Sequence, residues 1–118
     1  MSNQRSLTAE QRERLLDELG ALLDQARNQG RRPGYLEVAD ALAIEAPLRI
    51  HKTTRLLEIL LKRDAEAGRP LRSLLVISKT RPGRPADGLF ERARRLGLCD
   101  GDSDDFYQHE LTRLMPDR

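Results

Sequence analysis

Six cations carry most of the chemistry that residue type and spacing suggest in this 118-residue chain: Arg49, Lys52, Arg55, Lys79, Arg81 and Arg84. What they can do is neutralise charge rather than make bonds. A guanidinium offers a planar fork to two phosphate oxygens, and an ammonium offers a point charge. Three of them fall in Lys79-Thr80-Arg81-Pro82-Gly83-Arg84-Pro85. Its prolines hold the chain extended, its glycine lets backbone approach a surface, and its arginines suit phosphate or a narrow minor groove. The competing reading is a rigid linker whose arginines only keep it soluble.

The other reactive side chains do not assemble into sites. His51, His109 and Cys99 lack HxxxH, HExxH or CxxC spacing, which excludes the usual zinc patterns. Asp100-Gly101-Asp102-Ser103-Asp104-Asp105 begins like a calcium loop, but position six is Asp105 and position twelve is Leu111. An acidic, helix-capping turn accounts for it better. Ser78-Lys79 has no third group to complete a nucleophilic set, and no glycine-rich phosphate loop is present. Asp87 and Glu91 near Lys79 are a thin basis for a metal-dependent nuclease. The expectation is a protein that is not an enzyme and uses no metal or cofactor.

Net charge is only +2, yet it is unevenly spread. Residues 49–99 hold thirteen Lys or Arg against five acids, while the segments before and after are net acidic. A basic centre of this kind attracts polyanions. Aromatics are 3% of the chain, so the core must be built from Leu, Ile, Val and Ala. The single cysteine and the lack of a long apolar run lead us to expect a cytoplasmic protein with no membrane partner.

The elements that would position the cations follow from periodicity and caps. Thr8-Ala9-Glu10-Gln11 reads as a capping box opening a helix over about 8–29, with Leu15, Leu16, Leu19, Leu22, Leu23 and Ala26 on one face and Gly30 as its stop. A short helix over 35–43, a turn at Pro47 and a longer basic helix over 49–67 have the order of a helix-turn-helix. Two ordinary core helices fit the same pattern. Residues 71–78, with Leu74, Leu75, Val76 and Ile77 in succession, read as a buried strand. Its partner would be 32–35, 85–88 or a second subunit. Asp87 and Ser103 are expected to cap two final helices, over about 88–96 and 103–115. All of this fits one domain.

The Lys79–Pro85 loop resembles an AT-hook, a minor-groove motif built on Arg-Gly-Arg-Pro, although Pro82 interrupts the pattern. The whole order of elements resembles the winged-helix class of DNA-binding domains. A weaker similarity links Gly34-Tyr35-Leu36-Glu37-Val38-Ala39, residues 49–63 and Leu75-Val76-Ile77 through Gly88 to the DNA-binding domain of alkylguanine alkyltransferases and alkyltransferase-like proteins. That family's Pro-Cys-His-Arg motif is absent, since Arg72-Ser73-Leu74-Leu75 stands before Val76. These resemblances imply a mainly α fold with a small β element and a nucleic acid, DNA in preference to RNA, as partner. Arg49, Lys52 and Arg55 would lie on the groove-facing helix, and Lys79, Arg81 and Arg84 on the wing. The rival expectation is an adaptor or regulator, as a homodimer or with an acidic protein on its basic face.

Overall fold

The computed structural model describes residues 8–79 and 83–115, which form a mainly α-helical structure. Thr8 starts α1 (Ala9–Asn28) through a complete capping box: its hydroxyl accepts from Gln11 N–H, and the Gln11 side chain accepts from Thr8 N–H. Leu16, Leu19, Leu23 and Ala26 form the buried stripe of this helix. Then come α2 (Tyr35–Ala41) and α3 (Arg49–Glu66), and later α4 (Asp87–Arg95) and α5 (Ser103–Leu114). Their ends lie close to those expected from the sequence, but two caps differ. Ala86 and Asp102 occupy the N-cap positions in place of Asp87 and Ser103, and the Asp102 carboxylate accepts from Asp104 N–H.

Four helices end in one motif. After α1, α3 and α4, a glycine with positive φ (Gly30, Gly68, Gly97) reverses the chain, and the next amide donates back to a carbonyl five residues earlier. After α2 the bonds are the same, from Ala43 N–H to Asp40 and from Ile44 N–H to Ala39, but the left-handed residue is Ala43, at φ 55°. A Cβ in that conformation costs about 1 kcal/mol. Ala43 is exposed and glycine would keep every bond, so Ala43→Gly is expected to raise stability by roughly 0.5–1 kcal/mol in urea unfolding, the gain being trimmed by a more flexible unfolded chain.

Residues 71–78 depart from the expected strand. Arg72–Leu75 form a 3-10 turn, and the extended chain after it makes a single parallel bridge, between Ile77 and Gly34. The small β element expected from the sequence is not formed among the described residues beyond this bridge, where Ile77 N–H donates to the Pro33 carbonyl at 2.9 Å. On the other side, Ser78 N–H donates to the Arg84 carbonyl at 2.8 Å. Of the partner segments anticipated for a strand, 32–35 is used, through Pro33 and Gly34, while the bond on the other side goes to Arg84, just before the anticipated 85–88. The physical reason is position. The turn is in contact with α1, α3 and α5, so Leu71, Leu74, Leu75 and Val76 are apolar because every side of the segment is covered. A short apolar run of this kind looks the same in a strand and in a central turn.

The buried polar side chains of the turn itself find partners. Ser73 Oγ donates to the Leu57 carbonyl at 2.6 Å. Arg72 is nearly buried and grips Asp64, itself 1% exposed: Nη2 donates to Oδ1 at 2.8 Å, while Nε and the Arg72 backbone N–H both donate to Oδ2 at 3.1 Å. Its remaining nitrogen donates to the Gly20 carbonyl at 3.3 Å and to Asp24 at 3.0 Å. Hydrogen bonding to Asp64 raises the guanidinium pKa against the burial that would lower it. Glu110, also buried, accepts from Leu71 N–H at 3.4 Å and from Arg113. No helix of the described residues is long and apolar enough to cross a membrane.

Candidate nucleic-acid interface

The six cations singled out from the sequence fall into separate groups. Arg49, in the first turn of α3, is turned back onto α2: Nε donates to the Ile44 carbonyl at 2.7 Å and Nη2 to Asp40 at 2.6 Å. Lys52 reaches the Glu45 carbonyl at 2.9 Å. Both side chains brace the α2–α3 turn, where Leu48 takes a left-handed φ of 61° as the N-cap of α3. Arg49 spends its charge on Asp40, whereas Lys52 meets only a carbonyl and keeps its charge.

Arg55 lies on the outer face of α3 with His51 and Lys62, all three exposed and with no hydrogen bond or ion pair among the described residues. The spacing of 51, 55 and 62 puts them on one helical face. Lys79 is also exposed and has no partner among the described residues. It rims a groove of about 560 Å³ lined by Tyr35 and Leu36 of α2, Ile50 and Thr54 of α3, and Ala86. The groove brings the arm after the 3-10 turn alongside the N-terminal turns of α3. Arg81 lies outside the described residues.

Arg84 is not a free wing residue. Its guanidinium is stacked over the Phe90 ring, 4.9 Å from the centroid, lies 5.8 Å from that of Tyr107, and pairs with Asp104 at the start of α5. Phe90 and Tyr107 meet edge to face, 5.8 Å between centroids. Tyr107 Oη donates to the Gly83 carbonyl at 3.1 Å, and Arg32 Nη1 donates to both Tyr107 Oη and that carbonyl. Arg32 was not singled out from the sequence, and Asp104 only as part of an acidic helix-capping turn, with no link to Arg84. Nothing in their spacing marks them, because their partners lie 75 and 20 residues away.

The floor of the groove gives a pH signature. Tyr35 is buried, and its hydroxyl accepts from Ala86 N–H at 3.3 Å. Burial pushes its pKa up to about 12. An unfolded tyrosine ionises near ~10. The folded state therefore keeps its proton longer, so this contribution is intact below about pH 10 and is lost as pH rises toward 12. Urea unfolding between pH 9 and 11.5 should show the decline, approaching roughly 2–3 kcal/mol at its limit. Tyr35→Phe should flatten most of it, leaving the smaller part due to Tyr107, which burial also raises.

Among the described residues, no group of three or more His, Cys, Asp or Glu is placed to hold a metal ion. Cys99 is buried, with its sulfur 3.9 Å from the Gly101 carbonyl. In comparisons with protein-family models, curated proteins and solved structures, the chain matches none of them.

Proposed function

We propose that the protein is a small, non-enzymatic nucleic-acid-binding module of winged-helix-like plan, with DNA as its partner and phosphate contacts as its main source of affinity. The observation that carries this reading is the outer face of α3, where His51, Arg55 and Lys62 stand exposed along the helix and without partners among the described residues. Lys79 adds an exposed cation from the arm beside that helix. Lys52 keeps its charge while bracing the turn, and Arg81 belongs to the same arm by sequence. Arg49 and Arg84 support the interface less directly, since each already has a carboxylate partner.

Fluorescence anisotropy with a labelled duplex tests this. Binding at 50 mM salt should weaken by orders of magnitude at 200 mM, because neutralised phosphates release counterions. The Arg55→Ala/Lys79→Ala variant should bind about tenfold more weakly and flatten the log–log salt dependence by roughly two units. Absence of binding at low salt, or a variant that binds like the parent, overturns the reading.

One feature favours protein docking at the same region: Leu36 and Ile50 are each 42% exposed on the groove. If the DNA titration is flat, light scattering decides whether this face pairs two copies. A dimer mass that falls to monomer in Ile50→Glu would support that reading, and a monomer throughout would remove it.

A further inference from the structure

The Arg84–Asp104 pair bears on how the proposed interface is controlled. Arg84 belongs to the loop most suited by sequence to phosphate, yet its guanidinium already faces a carboxylate. The arrangement is well supported. The Arg84 carbonyl holds Ser78 N–H, the adjacent Gly83 carbonyl is held by Tyr107 and Arg32, and Phe90 lies beneath the guanidinium. Arg84 is therefore presented with one face on an aromatic ring and its outer edge toward Asp104. The Arg84 side chain is 20% exposed and that of Asp104 is 66% exposed, so the carboxylate is the outer, displaceable partner. Arg84 Nε has no hydrogen-bond partner among the described residues.

We propose that Asp104 is an internal competitor for phosphate at Arg84, so that the acidic start of α5 restrains the affinity of the basic loop until a polyanion displaces it. This rests on the nucleic-acid reading above. Carboxylate and phosphate offer the same kind of oxygen pair to a guanidinium fork. An ion pair whose carboxylate is largely exposed is weak enough for a multivalent phosphate chain to break. Binding through Arg84 must first undo it, which lowers affinity and hides one phosphate contact.

The test compares two isosteric changes in one helical turn. Asp104→Asn removes the competitor, whereas Asp105→Asn removes the same unit charge from an exposed residue with no partner among the described side chains. In duplex titrations, Asp104→Asn should tighten binding about threefold and steepen the salt dependence by roughly one unit. Asp105→Asn should give a clearly smaller gain, and Arg84→Ala/Asp104→Asn should lose the gain. Equal gains from the two single changes, or no gain from Asp104→Asn while the parent binds, overturn the competitor. Should none of the proteins bind DNA, the nucleic-acid reading fails, and inorganic pyrophosphate then tests Arg84 by itself. Its Nε–H resonance should move on titration in Asp104→Asn and stay in place in the parent. Movement in neither protein, or equal movement in both, overturns the inference.

Discussion

Replacing Arg72 by Met is expected to remove about 3–5 kcal/mol of stability, measured by urea or guanidinium unfolding. The side chain of Asp64 is 2% exposed, and without Arg72 its carboxylate would keep only the Arg72 backbone N–H as a donor. Leaving a buried charge uncompensated costs more than the pair itself contributes, so the loss should exceed what two ordinary hydrogen bonds would give. The Asp24 contact adds little, because that carboxylate is half exposed and water can replace the guanidinium there. Arg72→Lys should fall between parent and Met, since an ammonium keeps the charge but cannot span both oxygens of Asp64. A loss below about 1 kcal/mol for Arg72→Met would mean that Asp64 finds water or moves.

Gly20→Val is expected to cost about 2–4 kcal/mol, although a residue other than glycine should favour the middle of a helix. A Cβ at Gly20 would lie 3.0 Å from Arg72 Nη1 and 3.6 Å from its guanidinium carbon. A flexible surface arginine would move aside, but this one is held by Asp64, Asp24 and the Gly20 carbonyl. The two substitutions should therefore not add. In an Arg72→Met background the pliable thioether makes room, and the cost of Gly20→Val should shrink by at least 1 kcal/mol. Additive costs in the double-mutant cycle would show that valine acts on α1 alone.

The sequence made the helices legible because their ends carry local chemistry. The Thr8–Gln11 box and the glycines at 30, 68 and 97 mark termini through backbone requirements that hold wherever the helix sits. The 3-10 turn was illegible because its apolar run reflects burial on every side, and burial has no period when every side is covered. Arg72 looked like one more cation of the basic centre. The clues were a carboxylate, Asp64, continuing the buried stripe of Leu57 and Leu61, and a glycine inside the apolar face of α1. Of the proposed interface, Arg55 and Lys79 have the exposure expected of them. Arg49 and Arg84 do not, because whether a surface arginine stays free depends on acids brought near by folding, such as Asp40 and Asp104.

The turn at Arg72–Leu75 also constrains how the chain can be divided. It sits near the middle of the sequence but rests on α1 from one end and α5 from the other, while Arg27 of α1 donates to the Leu114 carbonyl at 2.7 Å. Neither half contains the surfaces that would cover its own apolar residues. A protease cut in the acidic turn near Asp100 should therefore leave the two pieces associated under native conditions. Separated, the piece lacking α5 should be unfolded, and adding back the missing segment should restore the helical signal of the whole.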